Sequence, residues 1–485
     1  MGSGLKSWLT RMRFAGSAGL PRAAIVAALP SILFVFSIAF FAFLYGVAVG
    51  YYQFFPFTEL HSARVSAQVI YRQLFARDLN RDEGFVGFTD IPLRDLHKSR
   101  IVTVDRAAGA SEEFLFTGGI DQYYDYCPRH GCIAVRFRRD GSMVHAWPFL
   151  PEEFQKTPIV SAKYETALFD YARNIYSAGL TELPDGSLIS VFFQSDGFPS
   201  GGGVARIAPD GHFIWFRRDY SHHWPVISGN EIVFSAAHIL SRPTNIVVDG
   251  TVLITLDCQP SYIADTIRVV DLNGRPVTEI SIFDALLASP YRAVLLQTIN
   301  KCDPLHVNYV TPVGEGIAKG LPGVSPSDFL VSMRHISALA IISRETGRLL
   351  RLFRGDFFMQ HAVHPFGGTS VIMFDNLGAG AAGGPSRLLV YDLATGAERT
   401  LFPLPGKASV PFFSEKNGTI SLSADGTRAI VAVTDAGRGY EIRLSDGAIL
   451  TKFDNLSDVS MLGGFEELKH RFAARFDSFG LYYAP

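Results

Sequence analysis

The chain has 485 residues, of which 48% are hydrophobic and 19% charged, and a formal net charge of -2. So much apolar surface excludes disorder as the main state, and 44 basic side chains against 46 acidic ones leave no basic field for nucleic acid. A prior of about 150 residues per domain would give three domains, but closed all-β folds run longer as one unit, and the plentiful Gly (45), Pro (26) and Phe (39) favour strands and turns over a helical bundle.

Residues 1–22 carry Lys6, Arg11, Arg13 and Arg22 with no acid, and no charge follows until Glu59. The run 23–52 is almost wholly apolar and exceeds the about 20 residues that a spanning helix needs, so it is expected to be a retained transmembrane signal anchor. A cleavable signal peptide would have a shorter apolar region. The flanking positive charges keep the N-terminus cytoplasmic, which makes this a single-pass protein of the bacterial inner membrane with the rest in the periplasm or exterior. Over 53–84 the apolar residues Val65, Val69, Ile70 and Leu74 fall at helical spacing, and a short stalk helix is predicted, whose face could also pair with a second copy. In an oxidising compartment all four cysteines are disulfide candidates. Cys127 and Cys132 (CPRHGC) are expected to bridge, and the pairing of Cys258 and Cys302 is left open. A zinc reading of CPRHGC with His130 lacks a second ligand pair at finger spacing.

From residue 85 a small theme repeats: an apolar strand, a turn ending in Gly, and a second strand. The copies end at Gly141, Gly211, Gly274, Gly347, Gly396 and Gly447, at intervals of 70, 63, 73, 49 and 51 residues. Such turns need a positive φ that Gly adopts freely. Further hairpins near Gly186, Gly250 and Gly426 bring the total to about four strands per period. The prediction is an all-β fold, a six-bladed β-propeller over 85–465, with 466–485 as a C-terminal tail. A β-sandwich would not need motifs at such long regular intervals.

Polar groups suited to gripping an anion lie in four places: SHHWP (His222, His223), DPLHVN (His306, Asn308), SMRH (Arg334) and FFMQH (Gln360, His361). On an extended strand His306 and Asn308 would share a face, and the guanidinium fork of Arg334 matches a tetrahedral oxyanion. Singly, each has a plainer reading: a histidine satisfied within a sheet, an arginine paired with a carboxylate, and Asp303 as a turn cap. His238, His335 and His364 are read as structural, and no carboxylate recurs beside the histidines as a metal ligand.

In this order, with VIMFDNLG, SRLLVYD and GRGYEIRLSDG following, the motifs resemble the bacterial arylsulfotransferase (aryl sulfate sulfotransferase) family from about residue 85 to 460, most specifically over 303–392. The resemblance implies a propeller enzyme that moves a sulfuryl group from an aryl sulfate donor to a phenolic acceptor without a nucleotide donor (PAPS), cofactor or metal. It implies that His361 becomes transiently sulfated, and that His306, Arg334, Asn308, Gln360 and one of His222 and His223 hold the sulfuryl group or move protons, with ping-pong kinetics. The chain departs from the family at Pro304, where Trp is common, and at Trp224, where an acid is usual. Two other classes therefore stay open: a membrane-tethered binding or scaffold propeller without turnover, and a metal-dependent hydrolase or lyase.

Overall fold

The computed structural model describes residues 22–52, 85–108, 112–117, 127, 131–150, 159–162, 175–194, 201–240, 243–256, 258, 262–378, 385–404, 410–460, 466–477 and 480–485. The chain divides into two compact units, Met1–Leu74 and Phe75–Pro485. The N-terminal tail before residue 22, the stalk over 53–84 and His130 lie outside the described residues.

In the first unit a helix, α1, covers Arg22–Tyr52. The membrane anchor expected there is overturned, because among the described residues no helix is long and apolar enough to cross a membrane. The single-pass anchor, the inner-membrane location and the outward placement of the following domain fall with it.

The second unit is mostly β and propeller-like in its order. Its described residues form six sheets of four or five strands, besides one two-stranded and one three-stranded sheet. The first strands of the six are β1 (Ile175–Glu182), β2 (His222–Ser228), β3 (Val307–Pro312), β4 (His361–Pro365), β5 (Thr419–Leu422) and β6 (Gly480–Tyr483). From β1 to β5 four strands of each sheet follow in chain order as an antiparallel meander, to which Ile159–Ala162 adds in parallel at the far edge of the β1 sheet and Ile101–Thr103 adds antiparallel at the far edge of the β5 sheet. The sixth is composite: β6 pairs with Glu113–Thr117, which leads on to Cys132–Arg138 and Met143–Pro148. The first strands touch in a circuit, β1 with β2, β2 with β3, β3 with β4, β4 with β5, β5 with β6, and β6 with β1.

The repeated glycines explain this regularity. Gly141, Gly211, Gly274, Gly347, Gly396 and Gly447 each join the third strand of one sheet to its fourth, with φ between 67 and 86°. Beside Gly211 the Asp210 carboxylate accepts from the His212 amide at 3.0 Å, closing the turn from its own side chain. Gly186 and Gly426 join first strands to second strands, whereas Gly250 belongs to an inserted hairpin, Thr244–Val248 with Thr251–Leu256.

Apolar faces of neighbouring sheets make the core. Trp224 of β2, Tyr309 of β3 and Val363 of β4 meet in one cluster with Leu330, Leu339, Val371 and Met373. Between the β5 and β6 sheets, buried Arg139 donates to Glu441 at 2.9 Å and Arg428 donates to the same carboxylate at 3.1 Å. Two disulfides add covalent ties, Cys127–Cys132 and Cys258–Cys302. The second holds the segment before Asp303 against the strand Tyr262–Asp271, where the Ile263 amide also donates to the Cys302 carbonyl at 2.8 Å.

Loop-closure entropy sets an expectation for these bonds. Cys258–Cys302 joins residues 44 apart and should contribute about 4 kcal/mol, against about 2 kcal/mol for Cys127–Cys132, whose residues are 5 apart. Urea denaturation of C258S/C302S should thus show the larger fall in midpoint than C127S/C132S.

Candidate functional site

Strands β2, β3 and β4 use the same backbone device where they begin. The ladder is irregular between His222 and Val226, between Val307 and Tyr309, and between His361 and His364. At the same places non-glycine residues take left-handed backbone: His223 at φ 63°, His306 at 48°, Met359 at 57° and Ala362 at 50°. Each such residue costs of order 1–3 kcal/mol and persists only where packing enforces it. Together with the irregular ladder, it turns side chains out of simple alternation. The expected common face of His306 and Asn308 is therefore not found. His306 precedes the strand in left-handed backbone and lines a cavity, whereas Asn308 is fully buried and donates to the Gln360 carbonyl at 2.6 Å.

That cavity has a volume of about 440 Å³. His222, His223, Asp265, Asp303, His306 and Arg334, with Glu415, Lys416 and Asn417, form its polar wall, and Phe193, Ile263 and Met359 its apolar one. Larger grooves, up to about 840 Å³, lie around Arg344, whose guanidinium is already paired with Glu231 at 2.8 Å. They gather no histidines.

His361 stands beside this cavity rather than on its wall. It is fully buried, with its ring 6.2 Å from that of His223 and 6.3 Å from that of Trp224. Its Nδ1 lies 2.7 Å from Asn376 Oδ1. The Asn376 amide is oriented by its own donations to the Ser414 and Asn417 carbonyls at 2.8 and 2.9 Å, so the oxygen must face the imidazole. His361 hence carries its proton on Nδ1. Its Nε2 keeps a lone pair, buried and without a hydrogen-bond partner among the described residues. Burial first, then the nearby Arg334 cation, hold its pKa well below the ordinary imidazole range.

Arg334 is 7% exposed and makes no salt bridge among the described residues. Its one hydrogen bond is a long donation to the Glu415 carbonyl at 3.4 Å. Burial brings its pKa down to about 10, so it stays cationic at neutral pH. A buried guanidinium with no carboxylate partner is an anion site in waiting.

Asp303 is the partner of His306, contacting its Nδ1, and its backbone carbonyl accepts from His335 Nδ1 at 2.5 Å. Burial pushes the Asp303 carboxyl up, but the His306 imidazole outweighs it and holds the pKa at about 2. The His306 and His335 rings lie 4.4 Å apart, and burial takes His335 down to about 4. Asp303, His306 and His335 can each bring one ligand atom within 4.8 Å of the others, a set able to hold a divalent cation. Both Nδ1 atoms are already engaged by Asp303, so a cation would have to use the far nitrogens or displace these bonds. Across the cavity His222 Nδ1 meets His223 Nδ1 at 2.8 Å, and His222 Nε2 lies 3.2 Å from Asp265 Oδ1.

Of the residues singled out from sequence, His222, His223, His306 and Arg334 meet on one cavity with His361 adjoining. Asn308 and Gln360 instead bind sheets together: the Gln360 amide donates to Ser332 Oγ at 3.0 Å and to the Ala338 carbonyl at 3.2 Å. Sequence reasoning missed Asp265, Asn376 and His335 and undervalued Asp303. One signal was available for Asp265, a lone acid inside the apolar strand YIADTIRVV, where a charge needs a reason to be buried.

Buried neutral imidazoles predict an acid-sensitive fold. His335 and His364 are held at about 4, chiefly by burial, and unfolding returns them to about 6.5. Below 6.5 the unfolded chain binds more protons, so stability is full above that pH and falls as the pH drops from 6.5 toward 4. Urea midpoints measured across this window should decline, and H364Q should shallow the slope by one proton, about 1.4 kcal/mol per pH unit.

No family model matches the chain, and no curated protein matches it. Among solved structures, a protein of unknown function from Bacteroides caccae aligns over 77% of this chain and 99% of its own at 10% identity, with a TM-score of 0.41. TolB from Acinetobacter baumannii aligns over 78% and 67% at 13% identity with a TM-score of 0.39. A streptogramin B lyase structure aligns over 83% and 100% at 10% identity with a TM-score of 0.37. Likenesses this distant carry no argument about activity, which has to come from the residues of the cavity.

Proposed function

We propose that the chain is a six-bladed β-propeller sulfotransferase that moves a sulfuryl group from an aryl sulfate to a phenolic acceptor through a sulfohistidine at His361. The closed circuit of β1 to β6 supports the blade count. The observation that carries the chemistry is the His361 Nε2 lone pair, freed by Asn376 and unpartnered, beside an unpaired buried guanidinium. In the first half-reaction Nε2 attacks sulfur, the N–S bond forms, and the S–O bond to the aryl oxygen breaks. In the second, the acceptor oxygen attacks the same sulfur and Nε2 leaves with its lone pair restored. Charge spreads over the three equatorial oxygens, as in phosphoryl transfer, and the Arg334 fork neutralises it. His306, with its Nδ1 on Asp303, forms the polar wall next to Arg334. Phe193, Ile263 and Met359 frame an aryl ring. His361 adjoins the cavity next to His223, their rings 6.2 Å apart.

The expected outcome is acceptor-dependent release of phenol from an aryl sulfate by the full chain, and a gain of one SO₃ on His361 in quenched enzyme by mass spectrometry. H361A should yield no adduct, and R334A should lower kcat by about 10²–10³-fold. Chelators should leave the rate unchanged; loss of activity to a chelator would favour a metal site at Asp303, His306 and His335. Tight aryl sulfate binding without adduct or turnover would favour a binding propeller.

A further inference from the structure

Sulfuryl transfer between phenols moves a proton as well as SO₃, and the site contains two separate acid-base arms. One is Asp303 with His306. The other has no role in the scheme so far: Asp265, His222 and His223.

We propose that His223, His222 and Asp265 form a proton relay that protonates the departing aryl oxygen and stores the acceptor's proton on Asp265, a role that rests on the sulfuryl-transfer reading. Two imidazole Nδ1 atoms 2.8 Å apart must share one proton, because both cannot donate and both cannot accept. Their tautomers are therefore linked. His222 Nε2 in turn lies 3.2 Å from Asp265 Oδ1. Asp265 is 1% exposed and lines the cavity, and His222 Nε2 is the imidazole nitrogen within reach of its Oδ1. A carboxyl buried beside a neutral imidazole is easier to keep protonated than ionised, and it hands its proton along that contact.

The balance runs in both directions. In the donor half-reaction His223 Nε2–H gives its proton to the leaving aryl oxygen. His223 Nδ1 takes one from His222 Nδ1, and His222 Nε2 takes one from Asp265, which becomes a carboxylate. In the acceptor half-reaction the phenol O–H yields its proton to His223 Nε2, the same shifts reverse, and Asp265 is protonated again. No imidazolium is left between steps. That matters because His223 faces His222, His306, His361 and Arg334, and an added cation there would be repelled. Asp265 faces His222, Asp303 and His306, and burial outweighs the imidazoles to push its carboxyl upward. Asp303 cannot serve as the store because it is held ionised, at about 2.

Asp265 is thus a storage residue that acts through His222. Its test is a series of aryl sulfates with leaving phenols of rising basicity, measured on the full chain by the rate of adduct formation at His361. Wild type should depend weakly on the leaving group. D265N, nearly identical in shape, should slow donors with basic leaving phenols about 10²-fold more than those with acidic ones, the usual weight of general acid catalysis. Equal slowing of all donors, or none, would overturn the relay. Infrared spectroscopy gives a reading free of turnover: wild type should show a protonated-carboxyl band at neutral pH that D265N lacks, and a band unchanged in D265N also overturns it. If wild type forms no His361 adduct with any donor, the sulfuryl-transfer reading fails, and the infrared band alone decides whether Asp265 stores a proton.

Discussion

An imidazole shut away from water must either stay neutral or have a carboxylate at hand, and this site uses both solutions side by side. His361, His223 and His335 are neutral because burial penalises their charged forms. His306 instead has the ionised Asp303 at its Nδ1. The difference separates the roles. A neutral imidazole with its Nδ1 proton pinned by Asn376 has a lone pair to give, while one oriented by a carboxylate serves as a polar contact. Arg334, a buried cation beside them, lowers the proton affinity of His361 and His223.

Such an arrangement conflicts with regular sheet geometry. Alternation along a strand would send successive side chains to opposite faces. The chain escapes it by left-handed residues and broken ladders at the openings of β2, β3 and β4. This strain is held by what lies outward of it, four-stranded sheets whose facing surfaces meet in a buried apolar cluster. Space is equally tight. A Cβ on Gly179 of β1 would lie 2.0 Å from the Trp224 ring and 2.7 Å from the His223 carbonyl, so β1 approaches the histidine pair only because that position lacks a side chain.

The outer architecture was legible in the sequence and the inner chemistry only partly so. Six turn glycines, read as a repeating hairpin, all fall between third and fourth strands, because the left-handed turn they serve is a local demand. Gly250 looked alike but sits in an insertion, since a turn residue records the hairpin and not the sheet it joins. His222, His223, His306, Arg334 and His361 were recognisable by their order. The faces they present were not, because positive φ at His223 and His306 is imposed by tertiary packing. Asp265 sits within a largely apolar strand and Asn376 just past the end of another, and the partner of Asp265 is remote in the chain: His222 lies two strands away across one sheet. The apolar stretch at the N-terminus misled in the other direction, since among the described residues no helix is long and apolar enough to cross a membrane.

The composite sheet has a consequence for how the molecule assembles. Strand β6 completes a sheet begun by Glu113–Thr117, with five other sheets intervening in sequence. Contacts of such long range are the slowest to form, because closure entropy must be met before the pairing rewards it. Until then both open edges offer unpaired backbone to any passing strand, so a partly closed ring is the species most prone to aggregate and most in need of a chaperone's protection.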